Sequence, residues 1–460
     1  FALFHQRFST NTLPTWKLAQ PFRLLAHNGE INTLQGNYHW MCTREPQLES
    51  ELWGDELDEL LPVLERSDSD SAMLDKVLEL LIRSGRDPRH ALSMLLPPAR
   101  RGLADADDAV RAFFEFHNLL IEPWDGPAAV VACDGQVAVA SMDRNGLRPL
   151  RTWETRDGLL IVSSEAGVVD LPASEIVTKG RLGPGQMLTV DLTTGRVASD
   201  LEIKRELASR HPYRRWLDDH LKRPRGEAGA GVDAANVAHV SKDAGRRRVL
   251  QLAFGYSTEA LDRILEPMAH GRLPVGSMGN DAPLALLSEQ PQLLFSYFKQ
   301  RFAQVTNPPI DPLRELLVFD LETVAGGVAN LLADNAPEAA RVARFPSPVL
   351  SDGQFQWLLG LEDPAFRHAR LDLTWECGPE GTPSAEQGEL LRRAVDELAD
   401  RAAELAGGGG EDATVLVLSD TDLAPGRPTI PMLLAVAAVH TRLVATQQRM
   451  TVALVCETAE

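Results

Sequence analysis

The chain is short of cysteine, of basic charge and of long apolar runs, and each shortage removes a class of protein. Four cysteines in 460 residues, Cys42, Cys133, Cys377 and Cys456, lie far apart and form no CxxC pair. A disulfide scaffold and a cysteine-rich zinc or iron–sulfur site are therefore not encoded, and a reducing, cytoplasmic compartment is expected. Basic residues number 46 against 65 acidic ones, a net charge of −19. That excess argues against nucleic-acid binding and against electrostatic docking on anionic lipid, both of which need a concentrated basic face. No stretch approaches the ~20 apolar residues of a membrane span. No tandem repeat is visible, and no metal site is expected. Apolar residues at 44% and a length of 460 leave a globular protein of several domains. Residue 1 is Phe rather than Met, and the chain is read as a piece of a longer polypeptide.

Texture changes before the stretch at 223 define three regions. Residues 1–45 hold short runs rich in His, Asn, Thr and Gly. Residues 50–122 read as helical, with Leu74, Val77, Leu78, Leu80 and Leu81 near period 3.6 and a second apolar set at Val110, Phe113 and Phe114. Residues 126–200 read as strands at Ala128–Ala132, Val137–Ser141, Leu159–Ser163 and Met187–Asp191, separated by turn pairs such as Asp134-Gly135 and Asn145-Gly146. An antiparallel, hairpin-rich sheet packed on helices is expected. The stretch 223–248, rich in Gly, Ala and charge, reads as a linker. Beyond it the pattern becomes α/β. A helix is expected over Ser384–Leu405, opened by a Ser384/Gln387 capping box and closed by Gly407–Gly410. A strand at Ala413–Leu418, a helix at Pro431–Val444 and a strand at Thr451–Cys456 then suggest a parallel βαβ unit.

The densest polar constellation lies in the first seventy residues: Arg7, Asn28-Gly29 and Asp68. Arg7 could take an α-carboxylate through a bidentate fork, Asp68 an α-ammonium, and the Asn28 and Gly29 donors a developing oxyanion. Each has a structural alternative: Arg7 a surface ion pair, Asn28-Gly29 a tight turn, Asp68 a helix N-cap.

A resemblance bears on this choice. His5–Asn37 is similar to a segment of the class II glutamine amidotransferase domain of the glutamate synthase large-subunit family. The likeness continues through Glu65–Ser71, Asp143–Pro149, Ser164–Gly167 and Pro184–Met187. Beyond the linker, Gly255–Glu259, Gly276–Asp281, Phe302–Pro312, Pro348–Leu350 and Ile430–Ala435 resemble the family's central domain. Those later words speak against amidotransferases acting on phosphoribosyl or sugar phosphates.

The resemblance implies an α+β N-terminal-nucleophile (Ntn) hydrolase sandwich, incomplete at its N-terminus, over residues 1–222. The linker 223–248 and an α/β central domain over 249–460, truncated near its end, would follow. It implies that Arg7 holds the glutamine α-carboxylate, that Thr10 lies in the same pocket, that Asn28 and Gly29 form the oxyanion hole and that Asp68 binds the α-amino group. His27 is expected to pack beside the turn, with a catalytic role the alternative, Cys42 is expected to be a small buried residue, and nothing is carried over to Asn11. The family's nucleophile is an N-terminal cysteine whose own amine is the base, and the resemblance places it upstream of Phe1. The chain alone is expected not to hydrolyse glutamine. FMN and a 3Fe-4S cluster are expected beyond residue 460, and FAD in a small partner subunit that passes electrons from NADPH, with ferredoxin the alternative donor. Glutamine and 2-oxoglutarate would be the substrates. A non-catalytic glutamine-binding sensor is the reading from another class. Of the remaining motifs, Gly276–Gly279 reads as a tight turn, the Asn307–Pro312 run as a rigid domain contact, and Tyr297, Phe298 and Phe302 as helix packing.

Overall fold

The computed structural model describes residues 1–10, 12–224, 244–272, 287–288, 292–298, 311–406 and 413–460. Most of the linker, Gly276–Gly279, Phe302, Asn307–Ile310 and the glycine run Gly407–Gly410 lie outside the described residues. Two compact units are present. One comprises Phe1–Arg223, Ala303–Val324 and Val328–Pro348, and the other Pro224–Phe302, Ala325–Gly327 and Val349–Glu460.

In the first unit, strand β1 (Leu25–Gly29) precedes helices α1 (Leu34–Arg44), α2 (Asp70–Arg83), α3 (Pro88–Leu95) and α4 (Asp108–His117). Strands β2 (Ala128–Cys133), β3 (Val137–Met142), β4 (Arg151–Thr155), β5 (Leu160–Ser163), β6 (Ile176–Arg181), β7 (Met187–Asp191) and β8 (Val197–Ala198) follow, then helices α5 (Asp200–Ala208) and α6 (Tyr213–His220). Two antiparallel sheets result, ordered β1-β2-β3-β7-β8 and β5-β4-β6. This is the α+β layout expected for the first region.

Strands β2, β3, β5 and β7 fall where apolar runs mark them. Strands β4 and β6 were not expected. RTWET holds a single apolar residue among polar ones, and IVTKGR is solvent-facing after its first residue, so neither carries an apolar run. Helix α2 buries Leu74, Val77, Leu78 and Leu81 completely, against Phe113, Phe116, Trp124 and Val130. Each such side chain contributes ~2 kcal/mol of transfer free energy. The N-cap of α2 is Ser69, whose hydroxyl accepts from the Ala72 N–H at 3.1 Å, and not Asp68.

Residues 328–340 dock on the corner between α2 and α3. Buried Arg86 donates to the carbonyls of Leu331 (2.8 Å), Leu332 (3.3 Å) and Ala333 (2.8 Å). One guanidinium thus satisfies three successive main-chain acceptors that a turn leaves open. Next to it, Nε2 of His90 and of His117 lie 2.7 Å apart, and His117 Nδ1 donates to the Phe113 carbonyl at 2.7 Å.

Helices α7 (Ala244–Ala253), α8 (Thr258–Ala260), α9 (Glu266–Ala269) and α10 (Pro312–Val318) come next. They are followed by short strands β9 (Thr323–Ala325) and β10 (Ala343–Phe345) and by helix α11 (Asp352–Leu359). Tyr297 and Phe298, expected to pack in a helix, lie at a 3₁₀ turn over Leu294–Tyr297 and are exposed.

The second unit is built on a parallel sheet ordered β11-β12-β13 (His368–Asp372, Val415–Ser419, Ala453–Glu457). Central strand β12 is buried at every residue, which is why it reads as an unbroken apolar run. Helices α12 (Ser384–Leu405) and α13 (Met432–Ala445) supply Leu398, Ala402, Val439 and Leu443 to its core. The expected βαβ unit is β12-α13-β13. The expected capping box does not form. Pro383 is the N-cap of α12, and the Gln387 amide instead bridges the N–H (3.0 Å) and carbonyl (3.1 Å) of Gly378. A proline N-cap has no side-chain acceptor, and Gln387 finds its partners in the preceding turn.

Candidate active site

Three sequence motifs separated by up to sixty residues converge on the N-terminus of α2. The first is the segment around Arg7 and Thr10. Ser9 N–H donates to the Leu18 carbonyl at 2.9 Å, closing a loop over residues 9–18. The buried Ser9 hydroxyl receives a hydrogen bond from Ser69 at 2.8 Å and lies 3.4 Å from Ser71 Oγ. Arg7 and Thr10 flank this anchor and are exposed. The Arg7 N–H donates to His5 Nδ1 at 3.0 Å, and its guanidinium forms no ion pair with a described carboxylate.

The second motif is Asn28-Gly29, which ends edge strand β1. Asp75 of α2 fixes the start of that strand, accepting from the N–H groups of Arg23 (3.2 Å), Leu24 (3.0 Å) and Leu25 (3.0 Å). Gln20 covers the strand's open edge by accepting from the His27 N–H at 2.7 Å. Gly29 has φ of +150°, and a Cβ there would lie 1.7 Å from the Pro127 carbonyl oxygen, so only glycine fits. After the turn, the Ile31 N–H donates to Asp70 Oδ2 at 2.8 Å. The Asn28 side chain makes no hydrogen bond to another described residue and is half-buried.

The third motif carries two aspartates with different surroundings. Asp68 has only 1% of its side chain exposed, and its two oxygens face Lys17 Nζ at 2.9 Å and Lys76 Nζ at 2.6 Å. Glu65 closes a ring with the same lysines at 3.0 and 3.3 Å. Two ammonium groups thus neutralise two carboxylates, and the bonds to Asp68 and Glu65 raise the Lys17 pKa. Asp70 is half-buried and forms no ion pair among the described residues. Its Oδ1 accepts from the Ser71 N–H at 2.7 Å, and its Oδ2 holds Ile31 directly behind Asn28-Gly29.

His27 is buried, its Nε2 has no hydrogen-bond partner, and desolvation pulls its pKa down to about 4. Cys42 is half-buried, and burial pushes its thiol pKa up. Sequence reasoning missed Lys17 and Lys76, the positioning role of Asp75, and the contrast between Asp68 and Asp70. The repeated Ser-Asp frame at 67–70 was the available signal, since a serine N-cap leaves one aspartate before the helix and puts the next in its first turn.

Among the described residues, no group of three or more His, Cys, Asp or Glu is placed to hold a metal ion. No helix among them is long and apolar enough to cross a membrane.

Residues 1–216 match the family model described as class-II glutamine amidotransferases, which sets the class of the first region. Residues 249–460 match the glutamate synthase central domain. With these two regions in this order, the chain belongs to the glutamate synthase family. It is 43% identical to the chloroplastic ferredoxin-dependent glutamate synthase of Spinacia oleracea, over 100% of this chain and 28% of that one. It is 40% identical to the glutamate synthase [NADPH] large chain of Bacillus subtilis (strain 168), over 100% of this chain and 29% of that one. It is 42% identical to the glutamate synthase [NADH] of Schizosaccharomyces pombe, over 100% of this chain and 22% of that one. The chain thus spans less than a third of the length of these relatives.

Proposed function

We propose that the chain supplies the glutamine pocket and the linking central domain of a glutamate synthase. The carrying observation is the convergence of Arg7, Asn28-Gly29 and the Asp68/Asp70 segment on one helix terminus, tied by Ser9–Ser69 and Ile31–Asp70. In this reading the unpaired Arg7 guanidinium takes the glutamine α-carboxylate, and Thr10 lines the same side. The Asn28 amide and the Gly29 N–H stabilise the oxyanion as a cysteine thiolate adds to the side-chain amide carbonyl. Cysteine and its α-amine base are proposed for residues outside this chain. Ammonia leaves and water releases glutamate.

For the α-ammonium we propose Asp70 in place of Asp68. Both oxygens of Asp68 already face lysine ammoniums, whereas Asp70, which accepts from Ile31 and Ser71, pairs with no cation among the described residues and keeps its charge for a ligand beside the oxyanion turn. Ammonia then condenses with 2-oxoglutarate to iminoglutarate, with loss of water, and two electrons and two protons reduce its C=N bond to the amine of a second glutamate. FMN and a 3Fe-4S cluster, proposed outside this chain, supply the electrons. NADPH is the proposed donor, through an FAD-containing small subunit, in the cytoplasm. The B. subtilis relative supports that choice, and turnover with reduced ferredoxin but not NADPH would refute it.

Glutaminase kinetics of the full-length enzyme test the site. Asn28→Ala should lower kcat by ~10²–10³. Asp70→Asn should raise KM for glutamine by at least tenfold, with Asp68→Asn changing it far less. The reverse order for the two aspartates would return the ammonium to Asp68. Glutamine binding without turnover in the full-length protein would favour the sensor.

A further inference from the structure

Behind the Asn28-Gly29 turn lies a second layer of polar groups that the proposed chemistry does not use. Residues 29–33 run face to face with residues 125–128. Glu30 N–H donates to the Pro127 carbonyl at 3.1 Å, and the Asn32 and Thr33 N–H groups donate to the Asp125 carbonyl at 2.7 and 3.3 Å. In return the Asp125 N–H donates to Thr33 Oγ1 at 2.9 Å. The approach is as close as backbone allows. A Cβ at Gly126 would lie 1.9 Å from the Glu30 carbonyl oxygen, the counterpart of the Gly29 contact with Pro127. Any shift of 125–128 is therefore passed to the turn without slack.

Segment 125–128 is in turn gripped by Asp143-Arg144-Asn145. Arg144 forks onto the Asp125 carboxylate, with Nε to Oδ1 at 3.0 Å and a terminal nitrogen to Oδ2 at 2.6 Å. Both side chains are about four-fifths buried, at 20% and 18% exposure, so solvent screens the pair less than a surface bridge. Buried Asp143 accepts from the Ala128 N–H at 3.0 Å and from the Asn145 N–H at 2.6 Å, which fixes the loop that carries Arg144.

We propose that Arg144 is a positioning residue for glutamine hydrolysis. Its bidentate hold on Asp125 sets the segment 125–128 against which the Asn28-Gly29 turn is registered. The proposal rests on the oxyanion reading of that turn. An oxyanion donor acts only within hydrogen-bond reach of the developing charge, and a displacement of 1 Å costs ~10²-fold in rate. Arg7 is anchored through Ser9 and Ser69, and Asp70 is carried by α2 with Ile31 its link to the turn, so the effect falls chiefly on kcat.

The test uses the full-length enzyme, assayed with glutamine and separately with ammonium chloride as nitrogen source. Arg144→Met should lower kcat with glutamine ten- to a hundredfold and leave KM within threefold. The ammonia-supported rate should stay at the parent value, which general misfolding would not allow. Arg144→Lys, which keeps the charge but not the fork, should fall between. If Arg144→Met does not yield folded protein, Asp125→Asn reports on the same clamp, since its main-chain contacts and shape persist. A glutamine kcat within twofold of the parent, or a loss shared equally by the ammonia-supported rate, overturns the proposal. If Asn28→Ala abolishes turnover while Arg144→Met does not, the oxyanion reading stands and the clamp alone falls. If Asn28→Ala is fully active, both fall.

Discussion

Acidification should loosen the first unit well above the pH at which carboxylates titrate. Two of its histidines are buried in neutral form, His27 with a pKa near 4 and His117 near 3, both lowered chiefly by desolvation. His90 is pushed well below 6.5 by the same cause. Geometry enforces neutrality in the pair. His117 Nδ1–H is committed to the Phe113 carbonyl, so its Nε2 is the acceptor for His90 Nε2–H. A proton added to His117 Nε2 would face a donor at 2.7 Å. Asp334, 3.8 Å from His90 Nδ1, is half-exposed, and its charge is screened.

The unfolded chain binds protons at these histidines below pH ~6.5, and the folded chain does not, so stability falls as pH falls. Each histidine loses ~1.4 kcal/mol per pH unit in that window, or ~2 kcal/mol between about pH 7.5 and about pH 5. His27 and His117 together give ~4 kcal/mol, with His90 adding in the same direction. Asp75 and Asp143 have raised pKa values and act oppositely, between the ordinary carboxylate range and their own raised values, offsetting part of the histidine loss at the acid end of the window. Urea unfolding followed by tryptophan fluorescence reads the loss, because Trp124 and Trp216 lie in this core. At m of ~3 kcal/mol/M, the midpoint should drop by at least ~1.3 M across that range. His117→Gln, which cannot charge, should recover ~0.7 M of the drop. An unchanged midpoint with unchanged m would refute the reasoning.

Three further outcomes follow from single contacts. Gly29→Ala drives a Cβ into the Pro127 carbonyl and should abolish glutaminase activity in the full-length enzyme, measured as glutamate release. Arg86→Met leaves three carbonyls of 331–333 without their donor and should destabilise the first unit by ~3 kcal/mol. Raised hydrogen exchange over 328–340 would report it, and unchanged exchange would count against the docking role. Asp75→Asn keeps one acceptor oxygen for three N–H groups and should cost ~1–3 kcal/mol in urea unfolding.

Much of this molecule is legible locally. The apolar period of 70–81, the buried run of β12 and the turn pairs between strands all encode structure within a few residues. The family words carried the site motifs to Arg7, Asn28 and Gly29 by the same local route. Strands β4 and β6 were illegible because polar residues dominate the first and solvent-facing ones the second, leaving no apolar signature. The Ser384 cap misread a local pattern whose glutamine had a better partner in Gly378.

Amino-acid order by itself determined the helices with one buried face, the strands with two, and the glycines where backbones meet. Only the tertiary structure decided which aspartate of 68 and 70 is neutralised, because Lys17 lies fifty residues away in the chain and reaches Asp68 through folding. It likewise decided that 328–340 packs beside Arg86, and that Arg144 stands behind the Asn28-Gly29 turn. Hydrogen-bond periodicity is a property of neighbours in sequence. Ion pairs and clamps depend on which distant surfaces the buried core brings together.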